Sequence, residues 1–223
     1  MDSRIYTPLL FTAGALVLSA CAATSDAPTP PSDTPATINQ PVPPAANDRF
    51  QPSLSLCPLT QVSNAPTPTD GLLILPYRQF ASINGVQVAV APVEKACLSS
   101  GFGPRNSSTH KGIDLHNASA VDVYAGAAGT VREKQYRNDY GNMIVIDHGD
   151  GVFTRYAHLE SFANGVDVGD NVSLGAHIGV MGNTASYPIP RHLHYEVLTG
   201  TWGAQAGSFA LTPVDLFARL SAN

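Results

Sequence analysis

A chain of 223 residues has room for one good-sized domain with appendages, because single domains usually run to about 100 to 200 residues. Only 13% of the residues are charged, while Gly (19) and Pro (18) are plentiful, which suits a turn-rich β protein and argues against a helical bundle, coiled coil or helical repeat. The net charge of -5 leaves no clustered Lys and Arg for phosphate contacts, so nucleic acid is excluded as a partner.

The chain opens with Arg4, an apolar stretch over 9–18, and the small residues Ser19 and Ala20 ahead of Cys21, the pattern of a secretion signal over 1–20. The apolar stretch is well short of the ~20 residues that a membrane-spanning helix needs. Leu18-Ser19-Ala20-Cys21 resembles the lipobox of bacterial lipoproteins, which implies cleavage before Cys21 and acylation of its sulfur. Ordinary secretion with an incidental cysteine is the alternative. Several acyl chains make a firm anchor, since each buried methylene contributes ~0.8 kcal/mol. Ala22, rather than Asp, follows the cysteine, which in a Gram-negative envelope resembles the outer-membrane sorting pattern. A lipoprotein on the outer membrane facing the periplasm is therefore expected.

Residues 21–49 are rich in Ala, Thr and Pro, and Pro28, Pro30, Pro31, Pro35, Pro41, Pro43 and Pro44 oppose helix and ladder alike. They read as a tether. At ~3.1 Å per residue such a chain could hold a domain several tens of ångströms from its anchor. Residues 50–96 follow as an N-terminal β extension, in which apolar runs at 72–75 and 86–91 predict two or three strands. With Cys21 acylated, Cys57 and Cys97 remain as a pair in an oxidising compartment, and a disulfide between them is expected, with two buried thiols as the alternative. Closing that loop should stabilise the fold by roughly 4 kcal/mol in the chain-entropy model. The bridge would pin the extension to the domain that occupies 97–223.

Short strand patterns then recur at 121–124, 129–133, 142–147, 152–158, 171–180 and 192–198, with turn signals between them. His148-Gly149-Asp150-Gly151 is the strongest short hairpin cue. Thr212 and Pro213 resemble a cap and a first-turn proline, and Leu216, Phe217 and Leu220 follow at helical spacing, so a short C-terminal helix is expected over 211–220.

Two of the seven histidines stand in Arg191-His192-Leu193-His194-Tyr195-Glu196-Val197, where strand alternation puts both imidazoles on one face. Leu193, Tyr195 and Val197 turn the other way and look like core. His110-Lys111-Gly112-Ile113-Asp114 adds an imidazole and a carboxylate, and Gly112 between them argues against a helix. His110 is placed at a loop end and Asp114 in a strand starting near Gly112. With His194 they make two nitrogens and one oxygen, a set that suits zinc and leaves a fourth tetrahedral position for water. An open position points to catalysis, because structural zinc sites usually close with Cys and no cysteine pair here has zinc-knuckle spacing.

Tyr156-Ala157-His158-Leu159 supplies a further histidine. Ser100-Gly101-Phe102-Gly103-Pro104-Arg105, His110-x-x-x-Asp114, Val123-Tyr124-Ala125, Gly129-Thr130-Val131, Tyr140-Gly141-Asn142, His148-Gly149, Tyr156-Ala157-His158-Leu159, Gly169-Asp170, Gly179-x-x-Gly182 and His192-Leu193-His194 follow one another in that order. From residue 100 to about 198 this series resembles the lysostaphin-type, or LytM, zinc metallopeptidase domain. The resemblance implies one zinc ion on His110, Asp114 and His194, with His158 and His192 as catalytic histidines. It implies a mainly β, antiparallel, sandwich-like fold with long loops around a metal groove. The implied activity is hydrolysis of peptide stems or cross-links in peptidoglycan, in a diderm envelope a D,D-endopeptidase acting on meso-diaminopimelate cross-links. A monomer is expected. Rival readings are a non-catalytic relative that activates a wall amidase and a tether that binds peptidoglycan without cutting it.

His116, His148 and His177 read as solvated or structural. Glu196 shares the ligand face and reads either as a partner for an imidazole or as a surface carboxylate. The loop Asn183-Thr184-Ala185-Ser186-Tyr187-Pro188-Ile189-Pro190-Arg191 departs from the small Gly- and Ser-rich stretch common in the family, and should border the cleft and bear on substrate preference. The extension over 50–96 matches nothing in the family pattern, and a cover that keeps the cleft latent is one expectation for it.

Overall fold

The computed structural model describes residues 49–58, 61–67, 69–105 and 108–221. The signal segment, Cys21 and the tether as far as residue 48 lie outside the described residues. No helix among the described residues is long and apolar enough to cross a membrane.

Two hairpins come first, β1 (Thr69–Asp70) with β2 (Leu73–Ile74) and β3 (Phe80–Ile83) with β4 (Val86–Ala89). Asn84 and Gly85 turn the second hairpin with φ of 49° and 88°, the pair of positive values that an Asn-Gly turn supplies. Then come β5 (Cys97–Ser100), β6 (Gly103–Arg105), β7 (Ser108–His110), β8 (Ile113–His116), β9 (Asp122–Tyr124), β10 (Gly129–Arg137) and β11 (Gly141–Asp147). They are followed by β12 (Val152–Phe162), β13 (Asn171–Val172), β14 (His177–Met181), β15 (Leu193–Thr199), β16 (Thr212–Val214) and the helix α1 (Leu216–Ser221). The expected mainly β fold with one short C-terminal α-helix describes these residues.

The main sheet has ten strands, paired antiparallel in the order β13-β10-β11-β12-β15-β8-β5, with β14 joined to β12 and β9, and β16 joined to β15. It divides along β12. The first part of that strand pairs with β15 from Val152 to Ala157, and the last part pairs with β14 from Leu159 to Phe162. Val123, Ile178 and Met181 are thereby brought into one apolar core with Ile144, Tyr156 and Tyr195.

The 50–96 segment shares that core. Leu54, Ile74, Ile83, Val88 and Val93 are buried with Leu98, Ile113 and Leu115. Single parallel bridges from Leu56 to Leu98 and from Ser63 to Ser100 lay the segment along β5, which otherwise ends the sheet path. An unpaired sheet edge is covered in this way. The sulfurs of Cys57 and Cys97 are bonded at this seam, with Cα atoms 4.9 Å apart.

Four boundaries differ by more than one residue from those the sequence suggests, and the first is the 129–133 pattern, which continues to Arg137. The 171–180 pattern breaks into β13 and β14 because Gly175, at φ 73°, turns the chain between them. The 152–158 pattern continues to Phe162. Thr212 and Pro213 do not open the helix. They lie in β16 opposite Thr199 and Leu198, an edge position that tolerates a proline without an N–H. The cap is Asp215, whose Oδ1 accepts from the amides of Phe217 at 3.0 Å and Ala218 at 3.2 Å.

Candidate metal centre

Register assembles the site. Strand β15 runs between β8 and β12, pairing His194 with Asp114 on one side and with Ala157 on the other. Cross-strand partners project from the same face, so the Asp114 carboxylate and the His194 imidazole meet directly. Gly112 permits the close approach, since a Cβ there would run into the carbonyl of Tyr195. His110 arrives at the end of the β6–β7 hairpin, paired with Gly103.

His110 Nε2, Asp114 Oδ1 and His194 Nδ1 converge on one point, with separations of 2.9, 3.0 and 2.9 Å around the triangle. Ligands at ~2.0 to 2.1 Å from a tetrahedral zinc lie roughly 3.3 Å from one another, so the donor set fits with a few tenths of an ångström of expansion. All three residues are buried. Each donor is also held from behind. His110 Nδ1 lies 2.6 Å from the Gly101 carbonyl, and His194 Nε2 lies 2.9 Å from Glu196 Oε1. An acceptor behind each ring places the ring proton there and leaves a lone pair on the nitrogen that faces the centre. Arg105 Nη2 donates to Asp114 Oδ2 at 2.7 Å and also to Ser100 Oγ, itself 2.7 Å from Ser63 Oγ of the N-terminal segment.

The electrostatics favour positive charge at this point. Burial works against a protonated His194, but the hydrogen-bonded carboxylates of Asp114 and Glu196 outweigh it and raise its pKa to about 9. Burial likewise pushes Asp114 upward, and its hydrogen bonds with His110 and His194 prevail, holding it well below the ordinary carboxylate range. A place where a proton is retained so firmly is one where a metal cation gains the same attraction.

His158 and His192 stand beside this centre. Their rings are 4.7 Å apart, and His192 Nε2 is 3.8 Å from Asp114 Oδ1. His158 reaches the site through a β-bulge: Ala157 and His158 together oppose one residue of β11, between the pairs Ile144 with Tyr156 and Asn142 with Leu159. His158 sits in the left-handed region at φ 61°, which lets Tyr156 and Leu159 both reach the core while His158 turns to the cleft. Burial pulls its pKa down to about 4, helped by the neighbouring His192, and burial also lowers His192. Both are therefore neutral imidazoles near pH 7.

All five residues line a cleft of about 840 Å³ that is also walled by Arg105, Lys111, Tyr140, Tyr187 and Arg191. The 183–191 loop borders it, through Tyr187, Ile189 and Pro190.

Glu196 is wholly buried and is not a surface carboxylate. Its Oε1 accepts from Tyr140 Oη at 2.8 Å as well as facing His194, and its Oε2 is paired with Arg155 Nη1 at 2.5 Å. Arg155 has no role in the sequence reading. The signal for it is a lone charge inside the apolar run of β12, and β15 places Glu196 directly opposite. Of the histidines set aside, His148 is buried, with Nδ1 2.8 Å from the Ala128 carbonyl and Nε2 2.7 Å from Thr154 Oγ1. His177 faces Asp122 at 3.5 Å on the surface, and His116 lines the cleft.

Residues 108–205 match Peptidase family M23. Over 133 residues the chain is 36% identical to the DD-carboxypeptidase/endopeptidase Mpg of Neisseria meningitidis serogroup B, covering 57% of this chain and 30% of that protein. Over 108 residues it is 36% identical to the peptidoglycan DD-endopeptidase ShyA of Vibrio cholerae, covering 45% of this chain and 24% of that protein. The matched region thus spans less than a third of either relative. Among solved structures, a zinc containing peptidase from Vibrio cholerae overlaps 58% of this chain and 39% of its own, with a TM-score of 0.49 and 29% identity. The catalytic domain of lysostaphin from Staphylococcus simulans overlaps 54% of this chain and 89% of its own, with a TM-score of 0.45 and 30% identity. The stretch that is similar to Peptidase family M23 contains all five of the residues gathered in this cleft, His110, Asp114, His158, His192 and His194.

Proposed function

We propose that this chain is a zinc-dependent endopeptidase that hydrolyses peptide cross-links of cell-wall peptidoglycan, with His110, Asp114 and His194 as zinc ligands and His158 and His192 as catalytic histidines. The observation that carries the reading is the three-donor centre on the floor of a cleft, each donor braced from behind, with two neutral imidazoles alongside. Three protein donors are one fewer than a tetrahedral site holds, the arrangement of catalytic zinc. When bound, zinc supplies Lewis acidity towards a scissile carbonyl and lowers the pKa of water at the site from 15.7 towards ~7.

The chain's own residues supply the rest. Asp114 and the two ligand imidazoles bring one negative charge to a divalent ion and leave the centre cationic. His158 and His192 each present a neutral Nε2 towards the cleft, where it can accept a proton from attacking water and later return one to the leaving amine. A protonated imidazole there can also donate a hydrogen bond to an oxyanion formed from the substrate carbonyl. The cleft excludes bulk water from one side of these groups and strengthens each interaction.

The names of the Mpg and ShyA relatives support a D,D-endopeptidase acting on peptidoglycan, and diaminopimelate cross-links are the proposed substrate. In the same proposal the chain acts as a monomer, exported by residues 1–20 and acylated on Cys21. The tether then holds the catalytic domain off the outer membrane on its periplasmic side. Protein lacking residues 1–21, incubated with purified sacculi with and without a chelator, tests the activity through mass analysis of the released muropeptides. Chelator-sensitive loss of cross-linked dimers is expected, and intact dimers in the presence of one equivalent of zinc would overturn the reading. Palmitate labelling that disappears in Cys21→Ser tests the anchor separately.

A further inference from the structure

The loop from 183 to 191, between β14 and β15, supplies the carbonyls that hold both non-ligand histidines. His158 Nδ1 lies 2.9 Å from the carbonyl of Thr184, and His192 Nδ1 lies 2.7 Å from the carbonyl of Pro190. A carbonyl can only accept, so in each ring Nδ1 carries the proton and Nε2 keeps the lone pair. One loop thus sets the tautomer and the orientation of two imidazoles, one in β12 and the other directly ahead of β15.

The loop is itself fastened at both ends. At the first, Thr184 Oγ1 donates to the Leu159 carbonyl at 2.8 Å and accepts from the Asn142 amide at 3.0 Å. Gly141, at φ 58°, leaves room for this, because a Cβ there would collide with the Thr184 backbone. At the second, His116 Nδ1 donates to the Arg191 carbonyl at 2.6 Å, directly before His192. The Arg191 side chain reaches Glu160 at 2.5 Å and the Met181 carbonyl at 2.6 Å. Between the ends, Pro188 and Pro190 restrict the backbone.

We infer that Thr184 and His116 are positioning residues: they clamp the two ends of the 183–191 loop so that its carbonyls present Nε2 of His158 and of His192 to the cleft. The inference rests on the reading of these histidines as the proton-transferring groups. It adds that their alignment is set by a loop anchored through a threonine hydroxyl and a histidine outside the metal ligands. Thr184→Val removes the hydroxyl at nearly constant shape, and Thr184→Ser restores it. His116→Phe removes the donor, and His116→Asn returns an amide N–H close to the position of Nδ1.

The test uses zinc-loaded protein and a soluble cross-linked muropeptide dimer. Thr184→Val and His116→Phe should each lower kcat about tenfold to a hundredfold, the scale of a misplaced catalytic group. KM should stay within about twofold and zinc content should be unchanged, because uniform binding and the metal donors are untouched, while the thermal midpoint should fall by no more than the few degrees that the lost hydrogen bonds account for. Thr184→Ser and His116→Asn should recover most of the rate. Long-range proton–nitrogen spectra give a readout without turnover: the wild type should show both rings as single Nδ1–H tautomers, with His158 averaging in Thr184→Val and His192 in His116→Phe. Unchanged kcat and unchanged tautomers in both valine and phenylalanine variants would overturn the inference, as would a rate loss that the conservative variants fail to restore. Locked tautomers that loosen as described, in a wild type that cleaves no dimer, would support the clamp and overturn the peptidase reading instead.

Discussion

Glu196 lies on the same face of β15 as His194, fully buried, with its Oε1 2.9 Å from His194 Nε2. Its other oxygen holds Arg155, whose Nη2 reaches the Ser208 carbonyl at 3.0 Å and Ser208 Oγ at 2.9 Å, and Ser208 Oγ in turn donates to Glu133 at 2.6 Å. The three-donor cluster is thus backed by a polar chain that runs from Asp114 through His194, Glu196, Arg155 and Ser208 to the half-buried Glu133. Burial pushes the Glu196 carboxyl up, and His194, Arg155 and Tyr140 together hold it below its ordinary value.

Glu196→Gln keeps an oxygen acceptor for His194 but removes the charge that polarises the ring and neutralises Arg155. Zinc affinity should fall about 10-fold to 100-fold, the usual cost of losing a carboxylate behind a ligand imidazole. Competition against a chromophoric chelator measures this. An uncompensated buried Arg155 should also cost about 3 to 5 kcal/mol in urea unfolding. Wild-type zinc affinity in this variant would remove Glu196 from the metal site's support.

Gly112→Ala should lower stability by about 1 to 3 kcal/mol, as overpacking does, because the new methyl group meets the Tyr195 carbonyl in the β8–β15 ladder. The same ladder holds Asp114 opposite His194, so zinc should be lost at a lower chelator concentration than in the wild type. Gly165→Ala, which meets nothing within 4 Å but sits at φ 72°, is the control for backbone strain alone.

His148 predicts an acid limb in the stability curve. Burial lowers its pKa from 6.5 to about 4, so the folded state binds this proton less readily than the unfolded chain does. Its contribution is complete above pH 6.5 and is lost as pH falls from there through about 4, for a total of roughly 3 kcal/mol. His148→Gln should flatten that limb in urea titrations of the metal-free protein between pH 7 and 4. An unaltered slope would mean that other groups dominate the window.

Replacing both Cys57 and Cys97 by Ser should cost about 4 kcal/mol, since the bridge closes a loop of 40 residues. The effect should extend to the metal. Ser63 accepts the amide of Gly101 at 2.8 Å, and the Gly101 carbonyl holds His110, so loosening the segment beside β5 should speed zinc release to a chelator. Equal release rates in the wild type and the double variant would confine the disulfide to stability.

The parts of this protein written in short spacings were legible in its sequence. The β class follows from Gly, Pro and period-two runs, and the pairs His110-x-x-x-Asp114 and His192-x-His194 declare themselves because so few residues separate the members of each pair that the local backbone keeps them together. The Asp-Gly hairpin is of the same kind, with Asp150 and Gly151 both at positive φ.

Tertiary structure decided what depends on register between distant strands. Arg155 and Glu196 are 41 residues apart and become a buried pair only because β12 and β15 align them, so neither looks like more than a charge in an apolar run. Simple alternation would send His158 to the core, and one unpaired residue in the β11–β12 ladder turns it into the cleft. Thr212 and Pro213 carry the local chemistry of a helix start, yet a ladder position beside β15 takes them, and Asp215 caps the helix instead. In each case local propensity amounts to about 1 kcal/mol, and pairing across the sheet, summed over a whole strand, outweighs it.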